Sequence, residues 1–210
     1  MEIISHRGAK GIAQENTIDA FRHALRFGVD MIETDVRKHG KEVVLSHEPT
    51  VKTEDYASLQ ELFDLVKGKI PINLEIKEER VVPLLKKIIS NYSGKIVFSS
   101  FNFSILQKIK KIFPEHEVAI LEKWSGIRAV AKASLLKTNR IHINQAWLWS
   151  NFVRSLHHKG YRLYAYTVNK VDRAEELAEW GVDGIFTDYP DRFRTNVNKR
   201  KGTNNNEHTK

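Results

Sequence analysis

The chain contains no cysteine, which excludes disulfide cross-links and thiol chemistry. No apolar run approaches the ~20 residues that span a bilayer, so no stable membrane insertion is expected. No basic leader followed by a long apolar stretch opens the chain, so no signal peptide is read and a cytoplasmic location is expected. A linker rich in proline, glycine or serine is also missing from the interior. The glycine fingerprint that a dinucleotide-binding sheet carries after its first strand is replaced by His6-Arg7-Gly8.

What is present fits one large domain. The 210 residues, 41% of them hydrophobic, suffice for a core that buries roughly 70% of the unfolded surface. The net charge of +8 is unevenly spread. From residue 192 onward, Arg192, Arg194, Lys199, Arg200, Lys201 and Lys210 face Glu207 alone, leaving +3 for the rest. That Asn-rich end cannot build a core, so residues 193–210 are expected to form a disordered basic tail behind a domain at 1–192. Beyond Phe193 it has no aromatic residues interleaved with its charges, and no nucleic-acid partner is expected.

Strand and helix signals alternate along the remainder. Strands are predicted over 2–5, 30–36, 72–76, 95–100, 118–121, 141–144, 163–168 and 184–188. Helices are predicted over 15–27, 59–67, 79–90, 103–112, 126–136, 149–159 and 171–180. Gly28 stands where a helix-ending glycine belongs, and Ser58 with Glu61 forms a capping box. Parallel strands need a helix to return the chain. Eight such steps predict an α/β protein with a closed (β/α)8 TIM barrel, a single domain with a short insertion after the second strand and a flexible basic tail.

A barrel gathers its functional groups at the C-terminal strand ends. Polar residues collect there: His6, Glu33, Asp35, His47, Glu75, Lys77, Glu122, Asn144, Asn169 and Asp188. Along a strand, i and i+2 share a face, so Glu33 and Asp35 point together, as do Glu75 and Lys77. Neighbouring carboxylates repel and need a cation, a proton or a donor between them. A hard divalent ion with oxygen ligands is the simplest answer. Glu15 and Asn16 either reach the site or cap the first helix. Trp147 and Tyr166 are candidates for a wall of the mouth, and Glu122 is a further pocket candidate.

Several stretches together carry a resemblance. They are His6-Arg7-Gly8, Glu15-Asn16-Thr17, Ile32-Glu33-x-Asp35-Val36, His47, Asn73-Leu74-Glu75-Ile76-Lys77, Tyr166-Thr167-Val168-Asn169 and Gly181-Val182-Asp183-Gly184-Ile185-x-Thr187-Asp188-Tyr189-Pro190. In this order the chain resembles the glycerophosphodiester phosphodiesterases over about residues 2–192. The resemblance implies a TIM-barrel enzyme that hydrolyses small-molecule glycerophosphodiesters, the deacylated phospholipids, to sn-glycerol 3-phosphate and an alcohol, using one divalent cation, Mg²⁺ or Ca²⁺. By position, Glu33, Asp35 and Glu75 match the metal carboxylates. His6 and His47 match the acid/base pair, and Arg7 and Lys77 the phosphate-binding cations. The alternatives are a lysophospholipase D-like or cyclising lyase activity on lysolipids, and a non-catalytic phosphate-binding barrel. The chain departs from the family pattern at Gln14, where proline is usual, at Glu48, where aspartate is usual, and in the short segment 48–56.

Overall fold

Eight parallel strands close into a ring in the computed structural model, which describes residues 1–194. The barrel strands are β1 (Glu2–Ser5), β2 (Met31–His39), β4 (Ile72–Ile76), β5 (Ile96–Ser100), β6 (Glu117–Glu122), β7 (Arg140–Asn144), β8 (Arg162–Tyr166) and β9 (Gly184–Thr187). Each pairs in parallel with its neighbours, and β1 closes the ring between β2 and β9. The insertion is β3 (Glu42–Leu45), an antiparallel partner for the far end of β2. The second strand therefore runs three residues past its predicted end, because β3 satisfies its backbone beyond Val36.

The helices are α1 (Ile18–Phe27), α2 (Leu59–Val66), α3 (Val82–Ile89), α4 (Phe103–Ile112), α5 (Gly126–Leu136), α6 (Ser150–His158), α7 (Val171–Glu179) and α8 (Asp191–Arg194). Two of them, α4 and α5, match their predicted limits. Helix α1 starts three residues later than predicted. Thr17 is its cap, accepting from the Ala20 N–H, and this leaves Glu15 and Asn16 outside the helix. Gly28 ends it at φ 69°. The Ser58–Glu61 capping box on α2 is present in both directions. Helix α8 lies across the predicted domain boundary, and Phe193 packs on the core. Residues 195–210, which make up most of the expected tail, lie outside the described residues.

Strand alternation sorts the barrel into two apolar layers. Ile32, Leu74, Phe98, Ile120, Ile141, Leu163 and Ile185 belong to the cluster shared with the helices. Ile4, Met31, Val97, Ala119, Tyr164 and Phe186 fill the inside. Burial on both faces explains why these strands read as nearly continuous apolar runs. Two residues further along, the inward positions turn polar: Ile4 gives way to His6, Met31 to Glu33 and Asp35, Val97 to Ser99, and Phe186 to Asp188. These apolar side chains, with buried Arg140 stacked on Tyr164 and His142 against Phe186, thus close one end of the barrel, and polar groups line the other. Among the described residues, no helix is long and apolar enough to cross a membrane.

Candidate active site at the barrel mouth

The corner after β1 is built for close approach. Arg7 has φ 51° and Gly8 φ 81°, and a Cβ on Gly8 would sit 2.7 Å from the Ala20 Cβ. Only glycine lets the chain turn this tightly against α1. The turn aims the Arg7 N–H at Glu33 Oε2, 2.7 Å away.

Three carboxylates meet beside this corner. Asp35 and Glu75 are paired in register across β2 and β4, and Glu33 lies two residues back on β2. Each offers an oxygen within 4.8 Å of the other two, and all three are buried. Glu33 Oε1 is buried with no hydrogen-bond partner. Burial first, and then the charges of Asp35 and Glu75, push the Glu33 carboxyl well above the usual range. Burial and Asp35 likewise raise Glu75, against the pull of Lys77. Asp35 goes the other way. Burial works against its charge, but the hydrogen bonds from His47 and Asn16 and the charges of Lys77 and Arg7 outweigh it and hold its pKa down. A buried oxygen set with an unpartnered acceptor and unequal proton affinities suits a hard divalent cation.

Lys77 Nζ lies 2.5 Å from Glu75 Oε1 and 3.1 Å from Asp35 Oδ1. The Arg7 guanidinium spans Glu15 (3.0 and 3.1 Å), Asp35 Oδ2 (3.1 Å) and His47 Nε2 (3.4 Å). Glu15 is therefore a strut for Arg7. Asn16, at φ 58° and 4% exposed, reaches Asp35 Oδ2 with its amide at 3.0 Å. Its oxygen accepts from Thr34 Oγ1 and from the Asp35 N–H. Neither residue caps the helix and neither lines the cleft: Glu15 acts on the site through Arg7 and Asn16 through Asp35.

Each histidine rests on a carboxylate. His47 Nδ1 is 3.2 Å from Asp35 Oδ2, and His6 Nδ1 is 2.6 Å from Asp188 Oδ1. Asn169 donates to Asp188 Oδ2 at 2.7 Å. These bonds keep Asp188 ionised below the usual carboxylate range despite burial. A carboxylate on Nδ1 selects the tautomer and turns Nε2 outward, open on His6 and facing Arg7 Nη2 on His47. The sequence places Asp188 and Asn169 among the polar strand ends without a role. Their partnership with His6 comes from the closure of β9 on β1.

A cleft of about 570 Å³ opens over these groups, lined by His6, Arg7, Glu33, His47, Glu75 and Lys77 on one side. The opposite wall carries Phe101, Glu122, Lys123, Trp124, Arg128, Lys132 and Tyr166. Tyr166 and Glu122 thus line the cleft, but Trp147 does not. The Trp147 indole lies behind the wall and donates to the Lys123 carbonyl at 2.9 Å, so it supports the loop that carries Trp124. Glu122 stands apart from the carboxylate triad, with Arg128 and Lys132 as its ion-pair partners.

Comparison with known proteins gives a family and a shared fold. The glycerophosphoryl diester phosphodiesterase family model matches residues 6–93 and 54–192. The Bacillus subtilis (strain 168) protein YhdW is 31% identical over 234 residues, covering 91% of this chain and 96% of its own length. The glycerophosphodiester phosphodiesterase of Caldanaerobacter subterraneus subsp. tengcongensis is 27% identical, covering 94% and 98%. Among solved structures, an Oleispira antarctica phosphodiesterase in complex with the product sn-glycerol-3-phosphate superposes with a TM-score of 0.84 at 23% identity. That match covers 94% of this chain and 97% of the other, and it shows that the fold is shared.

Proposed function

Since this chain belongs to the glycerophosphoryl diester phosphodiesterase family and is a phosphoric diester hydrolase, we propose that it hydrolyses glycerophosphodiesters to sn-glycerol 3-phosphate and an alcohol by metal-dependent histidine acid/base catalysis. The observation that carries this reading is the pair of carboxylate-backed histidines flanking the Glu33, Asp35 and Glu75 triad in one cleft. Glu33, Asp35 and Glu75 would hold one cation, Mg²⁺ or Ca²⁺, which supplies charge neutralisation and polarises a phosphoryl oxygen.

The chain's own groups do the rest. Arg7 and Lys77 attract the anionic diester and hold its oxygens, Arg7 as a planar fork and Lys77 as a point charge. Burial opposes both charges, yet the surrounding carboxylates hold both cations above their ordinary pKa values, so they remain charged throughout the working range. One histidine takes a proton from the attacking water as the new phosphorus–oxygen bond forms. The other delivers a proton to the departing alkoxide as the old bond breaks. Asp188 and Asp35 hold the Nδ1–H of each ring, so Nε2 accepts the proton on the neutral base and donates it on the protonated acid.

The test is release of sn-glycerol 3-phosphate from glycerophosphocholine and glycerophosphoethanolamine with Mg²⁺, Ca²⁺ or a chelator, beside a His6→Ala control. Release that needs a cation and vanishes in the control supports the reading. A cyclic phosphate that accumulates instead would replace hydrolysis with a cyclising reaction, and no release with either metal would overturn it.

A further inference from the structure

The wall facing the catalytic groups is positively charged in a way that the hydrolytic chemistry does not require. Residues 122–132 place Glu122, Lys123, Arg128 and Lys132 on the cleft lining. Glu122 is the sole carboxylate of that wall, and it is fully engaged. Its Oε1 accepts from the Lys123 N–H (3.1 Å), the Trp124 N–H (3.0 Å) and Arg128 Nη2. Its Oε2 accepts from Arg128 Nε (2.8 Å) and Lys132 Nζ (2.9 Å). Five donors exhaust the four or so lone-pair positions of a carboxylate. The two side-chain cations, with the Trp124 N–H, hold its pKa at about 2 although burial works the other way. No acceptor remains there for a cationic head group.

The cations are only partly used. An Arg has five N–H donors and a Lys three, and Arg128 and Lys132 spend two and one on Glu122. Lys123 has no ion pair among the described residues; its ammonium lies 4.7 Å over the Trp124 ring. Three cations against one carboxylate leave a surplus of +2. A lysine ammonium already competes for the aromatic surface that a quaternary ammonium would need. Trp124 already carries Lys123, and Phe101 meets Tyr166 edge-on at 88°. The wall is also held in place. Trp147 binds the Lys123 carbonyl, and the Tyr166 hydroxyl donates to the Glu122 carbonyl at 2.7 Å.

We propose that residues Lys123, Arg128 and Lys132 form a subsite for the leaving alcohol, selecting diesters whose alcohol bears a second anionic group such as a phosphate over those with a cationic ammonium. This rests on the hydrolase reading for the orientation of the diester, with its phosphodiester at the carboxylate triad and its alcohol against the wall.

The test is calorimetric titration of the Mg²⁺-loaded His6→Ala protein with three diesters. These are glycerophosphocholine (cationic alcohol), glycerophosphoglycerol (uncharged) and glycerophosphoglycerol phosphate (anionic). The phosphate-bearing diester is expected to bind about fivefold to tenfold more tightly than glycerophosphocholine at low salt, and the gap should narrow as salt rises. The Arg128→Gln/Lys132→Gln pair of substitutions, added to His6→Ala, should erase the gap. The exposed Lys123→Gln change should narrow it and serves if the pair perturbs folding. Equal or tighter binding of glycerophosphocholine, a gap that survives in both variants, or binding of none of the three overturns the proposal. Hydrolysis of glycerophosphoglycerol by the unsubstituted protein is scored separately. Its absence with the binding order intact counts against the hydrolase reading alone.

Discussion

His6 and Asp188 are 182 positions apart in the chain, yet His6 Nδ1 and Asp188 Oδ1 lie 2.6 Å apart. The contact exists because β9 returns to pair with β1, with Ser5 opposite Thr187, so that the next residue on each strand emerges at the same height. Asn169 secures the other oxygen of Asp188.

Replacing Asp188 by Asn should therefore damage catalysis more than binding. The ring of His6 would keep a neighbour but lose the negative charge that fixes its tautomer. We expect kcat to fall about 100-fold with KM changed less than threefold in steady-state hydrolysis of glycerophosphocholine. A proportional rise in KM with unchanged kcat would instead make Asp188 a substrate-binding group.

From a left-handed backbone, Asn16 makes two hydrogen bonds with Asp35 and a third with Thr34. Asn16→Ala removes the bonds and keeps the strain, and urea unfolding should show a loss of about 2–3 kcal/mol. Asn16→Gly relieves the backbone and should recover part of that loss. Both should weaken cation binding about tenfold in a calorimetric titration, since the orientation of Asp35 is lost in each.

Burial first, and then the charges of Asp35 and Glu75, oppose an ionised Glu33 when no cation is bound. Glu33→Gln should raise the melting temperature of the chelator-treated protein by about 2–4 °C. It should also abolish the gain in melting temperature that Mg²⁺ or Ca²⁺ gives the unsubstituted protein. A large cation-induced gain in the variant would place the ion elsewhere.

Glu122 makes stability depend on acidity. Its folded pKa of about 2 lies below the ordinary 4.5, so its ion pairs contribute fully above pH 4.5. Their contribution is lost as the pH falls from about 4.5 toward 2, where the folded form takes up the proton. Urea midpoints measured across that window should drop more steeply for the unsubstituted protein than for Glu122→Gln. Above pH 6 the two proteins should differ by a constant amount.

The two helices whose limits match their prediction, α4 and α5, begin at Asn102 and Ser125 caps, where a side chain of the chain itself accepts the first free N–H groups. The start of α1 is less legible because Glu15 and Asn16 have polar side chains that could equally serve a cap. Their real partners are Arg7 in the corner after β1 and Asp35 on β2, which local patterning does not place beside them. Trp147 shows the same limit. Its position after β7 puts it near the mouth, but only the packed loops reveal that it supports Trp124 from behind.

The order and patterning of the residues suffice for the parallel barrel, the mouth at which polar residues gather, and the shared faces of Glu33 with Asp35 and of Glu75 with Lys77. These follow from short-range periodicity, since alternation along a strand is a local property of the backbone. Folding in three dimensions adds which carboxylate backs which histidine, that Asp35 is held charged while Glu33 is pushed toward its neutral form, and that Lys123, Arg128 and Lys132 close the far wall of the cleft. Those properties depend on distance and burial across separate strands, and ring closure sets both.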